Sequence, residues 1–427
     1  MVSLIFSIYV IVALIAVALY LPRLFGFRYA FKKFPRKSAG KKRRIAILVP
    51  ARGESAIIGD LFASIKEQDY DRDCFETFVI VKESDDPTVE IAKGEGVSVT
   101  VVPEQKCKGD ALDGLFKSLS KDKLNSFDAF VIVDADGVLS KTYVSELNAA
   151  LEYDADIFIT HKTAKNFLGK RNVRSVFSNC AALTWPIVDD LGNAYRTKKG
   201  MPLNLCGQGL MLRKEVIQKI GGWPYRTMTE DYELKLDSLL HGFKSMYYPH
   251  AVLYTEEAIS HHENLVRRTR WLTGYKQCNK KYKNSIKKKA KQNGGLTKGD
   301  REYFFGMIPY FLFLSDTVVT SFGGLGLSVY YHLSGNALWL HCLMLLTVLP
   351  LAVLYGLLHF YSWIAIFIAR KEFNSITGME RLAVALFNPF YLLEYVCVYF
   401  LSLKQFHSKD APVWQQTERV MKNESKE

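Results

Sequence analysis

The chain has 427 residues, a formal net charge of +13 and a hydrophobic fraction of 49%. This length accommodates one globular domain together with a further region, and it excludes the small folds that depend on disulfides. The seven cysteines form no C-x-x-C pair and show no zinc-ligand spacing, so we interpret them as reduced cytosolic or membrane thiols. The basic residues are not accompanied by a recognition motif, and we expect no nucleic-acid partner.

Four hydrophobic segments predict a membrane protein. Val2 to Leu21 is long enough to cross a bilayer, since about 20 helical residues span a hydrocarbon core of about 30 Å. Met307 to Leu333 and Leu338 to Ala369 are comparable, whereas Leu382 to Leu403 is interrupted by polar residues and a proline. The predicted division is an N-terminal transmembrane helix (1–22), a soluble domain (42–275), a basic juxtamembrane segment (276–302), transmembrane or interfacial helices (303–403) and a C-terminal tail (404–427).

Basic residues set the predicted orientation. Arg23, Arg28 and the KKRR run at 41–44 follow the first segment, and no charged residue precedes it. The positive-inside rule then places the amino terminus outside and the soluble domain in the cytoplasm, as in a multi-pass protein of the plasma membrane. A cleaved signal peptide is the alternative, but it would require a positive n-region and small residues at a cleavage site. The bilayer is thus an expected partner, and the basic segment 276–302 would meet its anionic headgroups.

Strands and helices alternate in the soluble domain. Arg44 to Pro50, Phe75 to Val81 and Phe127 to Val133 predict buried strands, and the β-branched segment Val97 to Val102 is a weaker candidate. The predicted helices run from the ARGES sequence to Gln68, from Asp86-Pro87 onwards, and from Lys108 to Leu119. Such alternation implies an α/β fold with a mostly parallel sheet and helices on both faces.

Four acidic residues follow predicted strand ends, where ligands of such sheets bind: Glu54, Glu83, Asp134 and Asp136. Asp134 and Asp136 would project to the same side, and their like charges repel unless a cation compensates. Mg²⁺ and Mn²⁺ take oxygen ligands and commonly share them with a diphosphate. A lone D-x-D is more often a solvated turn, but its position after a buried strand favours a metal site.

The order of short motifs resembles that of a known family. They are VPARGE after the first strand, KGDA at 108–111, DAD at 134–136, CGQG at 206–209, GGW at 221–223, TED at 229–231 and RRTRW at 267–271. The chain resembles the membrane-integrated inverting glycosyltransferases of family two, which include cellulose, chitin and hyaluronan synthases and many bacterial polysaccharide synthases. The resemblance covers roughly residues 42 to 275 and extends to the membrane layout. It implies a GT-A, Rossmann-like catalytic domain that uses a UDP-sugar donor with Mg²⁺ or Mn²⁺.

The resemblance also implies roles for individual residues. Pro50, Ala51 and Glu54 would border the uridine pocket, Lys108 would approach the diphosphate, Asp136 would hold the metal, and Asp134 would lie nearer the ribose or sugar. Asp231 would be the general base, positioned with the acceptor by Thr229 and Glu230. Arg267, Arg270 and Trp271 match a (Q/R)-x-x-R-W motif that contacts the diphosphate and the acceptor, whereas Arg268 would face elsewhere.

One departure from the family pattern concerns the nucleotide base. Relatives commonly carry an acidic pair after the second strand, but here the sequence reads Lys82-Glu83-Ser84, followed by Asp85-Asp86. Glu83 would reach the uracil with a longer side chain, or Asp85 would replace it.

The chemistry of inverting transfer agrees with these residues. It needs a base within reach of the acceptor hydroxyl and cations that stabilise the departing diphosphate. Arginine side chains can bind phosphate oxygens bidentately, which lysine cannot do. No Ser/His/Asp or Cys/His arrangement is evident, which fits direct displacement without a covalent intermediate.

The sequence leaves both the reaction product and the membrane topology open. The first interpretation is processive transfer of a hexose or N-acetylhexosamine to a growing polysaccharide, with other secretion or synthase subunits as further partners. The alternatives are transfer of a single sugar to a lipid-linked acceptor, and a catalytically inactive membrane partner that binds nucleotide.

Four spans would place the carboxyl terminus outside, whereas the KDAPVWQQTERV tail resembles a cytosolic element of some relatives. Either a re-entrant last segment, broken at Asn388-Pro389, or two passes within Leu338 to Ala369 would resolve this conflict.

Overall fold

A single mixed sheet forms the centre of the α/β part of the chain. The structure is a computed structural model that describes residues 1–31, 34–165 and 175–407. Its strands are β1 (Ile45–Pro50), β2 (Phe75–Val81), β3 (Ser98–Val101), β4 (Ala129–Ile132), β5 (Val138–Leu139), β6 (Ile157–Ala164), β7 (Leu210–Arg213) and β8 (Ser245–Thr255). They lie in the order β3-β2-β1-β4-β7-β6-β8-β5.

The predicted strands are confirmed, but the sheet is less parallel than expected. Parallel pairing joins β1 to β2 and β4, β2 to β3, and β6 to β8. Strand β7 runs antiparallel to both of its neighbours, β4 and β6, and β5 runs antiparallel to β8. The expectation of a mostly parallel sheet was therefore too simple, because hydrophobic runs predict strands but not their direction.

The described helices fall into two groups. Those of the α/β part are α2 (Ile58–Lys66), α3 (Pro87–Gly94), α4 (Lys108–Ser118), α5 (Lys121–Asn125), α6 (Tyr143–Ala150), α7 (Val176–Ala182), α8 (Ala194–Lys199), α9 (Lys214–Ile220) and α10 (Glu230–His241). The longer or more apolar group comprises α1 (Val2–Leu24), α11 (His261–Gln292), α12 (Lys298–Phe305), α13 (Ile308–Leu333), α14 (Leu338–His341), α15 (Leu349–Ile368) and α16 (Gly378–His407). The start of α3 follows the predicted signal, since the Asp86 side chain accepts a hydrogen bond from Thr88 N and Pro87 occupies the first turn.

Two hydrophobic clusters cover the two faces of the sheet. Alternate residues of β1 enter different clusters, Ile47 and Val49 on one side and Ala46 and Leu48 on the other, because successive side chains of a strand point to opposite faces. Helices α2 and α6 pack on the first face, and α4 and the buried Trp223 pack on the second. Burial on both faces explains why the strand sequences are continuous apolar runs.

Four helical stretches are long and apolar enough to cross a membrane, judged by length and composition among the described residues. They are Val2–Tyr20, Lys298–Leu333, Leu338–Ser375 and Gly378–His407. The last three contain the predicted segments Met307 to Leu333, Leu338 to Ala369 and Leu382 to Leu403. Leu338–Ile368 is one continuous helical stretch with a π-helical segment at Cys342–Val348, so it does not hold two passes. The predicted tail element lies within 408–427, outside the described residues.

Helix α16 continues through Pro389, where the sequence suggested a break. A proline removes the N–H that would bond to the carbonyl four residues earlier, here that of Ala385. The carbonyl oxygen of Ala385 instead lies 2.9 Å from Nδ1 of His359 on α15, and the adjacent carbonyl of Leu386 accepts from the Tyr355 hydroxyl at 3.1 Å. Groups on a neighbouring helix therefore satisfy the backbone that the proline frees.

Candidate active site

Several of the predicted motif residues come together near the carboxyl end of β4. Lys108 is the first residue of α4, Asp134 and Asp136 follow β4, and Asp231 lies in the first turn of α10. Arg270 lies on α11, and its charge interacts with those of Glu230, Asp231 and Asp134. Residues from distant parts of the sequence thus form one charged cluster, at the edge of the sheet where such folds bind ligands.

Lys108 connects three of these elements. Its Nζ lies 2.5 Å from Oδ1 of Asp134, donates to the Gly207 carbonyl at 2.8 Å and lies 3.8 Å from Oε1 of Glu230. Burial alone would lower the pKa of Lys108, but the charges of Asp134 and Glu230 more than offset it and the pKa is raised. Lys108 therefore keeps its positive charge beside Asp134, the first carboxylate of the D-x-D motif.

Gly207 of the CGQG motif makes close contact with the charged residues. Its N–H donates to Oδ2 of Asp231 at 2.6 Å, while its carbonyl accepts from Lys108. A Cβ added at this position would lie 3.0 Å from both Glu230 Oε1 and Lys108 Nζ, so a side chain would displace these groups. A side chain at this position would therefore crowd the ends of two charged side chains that lie against the backbone.

Glu230 and Asp231 are two adjacent carboxylates, of which Glu230 is buried and Asp231 is half-buried. Burial raises the pKa of Glu230 to about 7, opposed by Lys108 and reinforced by the neighbouring Asp231. Burial also raises the pKa of Asp231, while hydrogen bonds from the N–H groups of Tyr232 and Gly207 act in the opposite direction. A carboxylate with a raised pKa is a stronger base, which suits proton abstraction near neutral pH. Thr229 is the residue before α10 and is buried.

The RRTRW segment lies in the first half of α11, with its members on different sides. Arg267 donates to the Glu256 carbonyl at 3.2 Å and to Oε1 of Glu263 at 3.1 Å, and it lies 3.8 Å from Oε2 of Glu257. Arg270 faces the Glu230 and Asp231 charges.

Arg268 points away from the charged cluster, as expected. It hydrogen-bonds to Asn264, Thr184 and the hydroxyl groups of Tyr391 and Tyr395, and its guanidinium lies 4.8 Å from the centroid of the Trp271 ring. The Trp271 ring is thus already in contact with an arginine.

The carboxylates after β4 fit a divalent metal. Asp136 is buried and Asp134 is more exposed, with 39% of its side chain accessible. The buried Glu257 adds a further negative charge, which interacts with that of Asp136, and burial raises the pKa of Glu257. Oxygen ligands and excess negative charge are what Mg²⁺ and Mn²⁺ require. The donor set therefore suits such an ion.

The residues predicted to bind the nucleotide are only partly brought together. Pro50 ends β1, Ala51 donates its N–H to the Ile80 carbonyl at 2.8 Å, and Glu54 is buried in the turn that precedes α2. The Glu83 side chain is 65% exposed and lies 3.6 Å from Lys82, away from this turn. It is Asp86 that reaches the loop after β1, accepting a hydrogen bond from Gly53 N at 3.0 Å.

Glu257 was not among the sequence candidates. It follows β8, accepts a hydrogen bond from Nε1 of Trp185 at 2.5 Å and lies near Arg267. The signal that would have pointed to it is the acidic pair Glu256-Glu257 directly after a strand, the same type of pattern that singled out Asp134 and Asp136.

Comparisons with known proteins show the family and the fold. The model of the family described as "glycosyl transferase family group 2" matches residues 129–370. A probable glycosyltransferase of Bacillus subtilis (strain 168), YdaM, is 22% identical over 239 residues, which are 54% of this chain and 55% of that protein. The match thus spans only about half the length of this curated relative.

A solved structure resembles the chain over almost its full length. The mannosyltransferase PcManGT from Pyrobaculum calidifontis, in complex with GDP-Man and Mn²⁺, superposes with a TM-score of 0.51 at 16% identity and covers 94% of this chain and 99% of that one. At this identity the likeness shows the GT-A fold and not the substrate. The family model, in contrast, matches more than half of the 427 residues. The chain therefore belongs to glycosyl transferase family group 2.

Proposed function

We propose that the protein transfers a hexose or N-acetylhexosamine from a nucleotide sugar to an acceptor at the cytoplasmic face of the plasma membrane, with inversion at the anomeric carbon. The observation that supports this most strongly is the cluster of Lys108, Asp134, Glu230, Asp231 and Arg270 at the strand ends. Residues 42–275 would form the catalytic unit. Asp231 is the proposed general base, which removes the proton of the acceptor hydroxyl as that oxygen attacks the sugar.

The remaining residues of the cluster would stabilise the leaving diphosphate. Lys108 is a cation fixed beside Asp134, and Arg270 is a second one near Glu230 and Asp231. Asp134 and Asp136 would hold Mg²⁺ or Mn²⁺, which would supply positive charge for the departing diphosphate oxygens. Arg267 donates hydrogen bonds to the Glu256 carbonyl and to the Glu263 carboxylate. To contact the diphosphate as predicted, it would have to give up these hydrogen bonds when the donor binds.

The nucleotide base is less constrained by the geometry. Glu83 is exposed, whereas Asp86 bonds to the loop after β1, so the proposed base pocket is bordered by Pro50, Ala51, Glu54 and Asp86. A UDP-sugar stays the first donor to test. A GDP-sugar is the second, since the structurally similar mannosyltransferase was solved with GDP-Man.

The small number of candidate spans supports transfer of a single sugar over processive synthesis, because the four apolar stretches among the described residues are few to enclose a channel for a sugar chain. One possible path is also closed by packing. A Cβ added at Gly324 of α13 would lie 2.4 Å from Cβ of Leu346, and the Thr347 hydroxyl donates to the Ser321 carbonyl at 3.1 Å. These two helical stretches are in direct contact and leave no room for a sugar chain between them. A lipid-linked acceptor would instead approach from the bilayer beside the site.

One incubation distinguishes these possibilities. Membranes containing the protein are incubated with labelled UDP-glucose, UDP-N-acetylglucosamine or GDP-mannose and Mn²⁺, and the products are extracted and sized. We expect a single-sugar adduct in the organic phase and none with Asp231→Asn, since loss of a general base typically costs about 10²- to 10⁴-fold in rate. A polymeric product would contradict single transfer, and equal activity of Asp231→Asn would contradict the assigned base. Cellular function that survives Asp231→Asn without detectable transfer would instead support the inactive partner.

A further inference from the structure

The second half of α11 carries a row of exposed lysines. Lys280, Lys283, Lys287 and Lys291 are all exposed, and they are spaced by three, four and four residues, which aligns them along one side of a helix. We call these four residues the lysine stripe. Other residues of this part of α11 are buried against α10 and α12, namely Cys278, Tyr282 and Ile286.

No acidic partner of the lysine stripe occurs among the residues that the structure describes. Within the described residues, none of the four lysines forms an ion pair, whereas Lys281 of the same helix contacts Glu233. No Asp or Glu occurs in the sequence between Glu263 and Asp300. Positive charge therefore accumulates along about 16 Å of helix, taken from Lys280 to Lys291 at 1.5 Å per residue.

The contacts between α11 and α16 show which side of the molecule the lysine stripe faces. Lys276, one turn before the stripe, donates to the Ser402 hydroxyl at 2.5 Å and lies 4.4 Å from the Tyr399 ring centroid, and Lys280 lies 5.9 Å from the Phe406 centroid. The stripe therefore begins where α16 ends. It continues the side of α11 that α16 covers.

Helix α16 has two different sides. The residues that face the α/β part and α15 include Val384, Asn388, Tyr391 and Val398, which are all buried. The opposite side exposes large apolar side chains, which are Leu382, Leu386, Phe390, Val396 and Phe400. An apolar face of this kind lies in the acyl region of a bilayer. The side of α11 that continues beyond α16 thus looks toward the membrane surface.

We propose that the lysine stripe binds the anionic phospholipid headgroups of the membrane in which the apolar helices are inserted. The acyl region then contacts the outer side of α16, and the four ammonium groups contact phosphates at the adjacent headgroup level. Lysine stems extend far enough for their ammonium groups to reach the headgroups while the helix stays at the surface. Attraction of this type depends on the charge of the leaflet and is screened by salt.

Lysine reactivity in nanodiscs tests the proposal. The full chain is reconstituted in nanodiscs of phosphatidylcholine alone or of phosphatidylcholine mixed with phosphatidylglycerol, and acylation of each lysine is followed by mass spectrometry. We expect the stripe lysines to react about five-fold more slowly in the anionic nanodiscs at low salt, and the difference to disappear at high salt. Lys93, Lys121, Lys141 and Lys219, which are also exposed, should react equally in both.

A matched pair of variants completes the test. The variant with all four stripe lysines replaced by Gln should lose phosphatidylglycerol that co-purifies with the wild type, while a variant with Lys93, Lys121, Lys141 and Lys219 replaced by Gln should retain it. Thermal unfolding of both checks that they fold. Equal stripe reactivity in the two nanodiscs, protection that persists at high salt, or equal lipid retention by the two variants would overturn the proposal. So would protection in neutral nanodiscs by an added acidic protein or RNA, because the partner would then not be the lipid.

Discussion

At the scale of single residues, the site depends on buried charges that stabilise one another. Lys108 lies within reach of Asp134, Glu230 and the Gly207 carbonyl. Asp134 was identified from its position after a predicted strand, whereas Asp231 and Arg270 were identified only from the resemblance of the TED and RRTRW motifs to those of the family. The role of Glu83 stays a prediction: its side chain is exposed, and Asp86 is the acidic residue that bonds to Gly53 of the loop after β1. The sequence predicts where this loop begins but not the conformation that decides which side chains face solvent.

The acid limb of the pH–rate profile should depend on Glu230. Burial raises the pKa of Glu230 to about 7, although the charge of Lys108 opposes this shift. Glu230 therefore becomes negatively charged in the same pH range in which Asp231 must be ionised to act as the base. Adjacent carboxylates titrate as a pair, and each negative charge raises the pKa of the other. We expect Glu230→Gln to shift the acid limb of kcat to lower pH, measured between pH 5 and 9 at saturating donor. The exposed Glu90→Gln should leave the profile unchanged, and an unshifted limb in Glu230→Gln would show that the two carboxylates do not titrate together.

At the scale of secondary-structure elements, polar residues join the α/β part to the apolar helices. The sequence predicted these elements well, including β2 at Phe75–Val81, because strands buried on both faces form continuous apolar runs. It did not predict how they are joined, since those contacts link residues more than a hundred positions apart, such as Arg268 with Tyr391 and Tyr395. Local patterns carry no information on such pairs.

Arg268 should hold α11 against α16 and, through Trp271, support the catalytic motif. It is buried and bonds to Asn264, Thr184 and two tyrosine hydroxyl groups. A hydrogen bond to a charged group typically contributes about 1.5–3 kcal/mol, and Arg268 makes four, so we expect Arg268→Gln to lower the thermal stability strongly. Arg268→Lys should restore little, because an ammonium cannot match the planar donor set.

A double-mutant cycle checks whether the tyrosine contact is the relevant one. Tyr395→Phe should destabilise the wild type but have little further effect in Arg268→Gln, because both changes remove the same hydrogen bond. Tyr399→Phe is the matched control, since Tyr399 contacts Lys276 through its ring and its carbonyl. Additive effects of Arg268→Gln and Tyr395→Phe would contradict this assignment.

His161 should make the contact between β6 and the turn after α15 dependent on pH. Its Nε2 lies 2.8 Å from Glu372, and its Nδ1 lies 2.7 Å from the Tyr247 hydroxyl, which donates to Asp190. Burial lowers the pKa of His161, but the carboxylates of Asp190 and Glu372 outweigh it and raise the pKa to about 9. The charged form is therefore favoured in the folded state.

The direction in which pH changes the stability follows from the pKa of His161 in the unfolded chain, which is about 6.5. The stabilisation is fully present below that pH and is lost as the pH rises toward 9, a difference of about 3 kcal/mol. Thermal unfolding in detergent at pH 6.5 and 9 should show this loss in the wild type and not in His161→Gln. His262→Gln, an exposed histidine, is the control and should behave as the wild type. An equal loss in His161→Gln would mean that this histidine is neutral in the folded state.

At the scale of the whole molecule, the packing of α16 determines the side on which the chain leaves the membrane. Its residues Glu394, Ser402 and Gln405 bond to Asn264, Lys276 and Thr273 of α11. Together with Tyr391, these contacts extend over about 21 Å of helix at 1.5 Å per residue. Since α11 is continuous with the α/β part, we expect that a helix that follows it over this length does not cross the bilayer. We infer that α16 lies along the cytoplasmic surface with its apolar side in the lipid, which leaves three spans.

Site-directed labelling tests this topology. Three spans with an outside amino terminus place Ser334, between α13 and α14, outside, and His407, at the end of α16, inside. In a background with the seven native cysteines replaced, Ser334→Cys should react with a membrane-impermeant maleimide in intact cells, and His407→Cys should react only after permeabilisation. A cysteine at the exposed Lys121 of the α/β part serves as the inside control and should behave as His407→Cys does. Reaction of His407→Cys in intact cells would show that α16 is a fourth span. It would also contradict the proposal for the lysine stripe, because the stripe lies on the side of α11 that packs against α16 and is inferred to face the membrane surface only if α16 does.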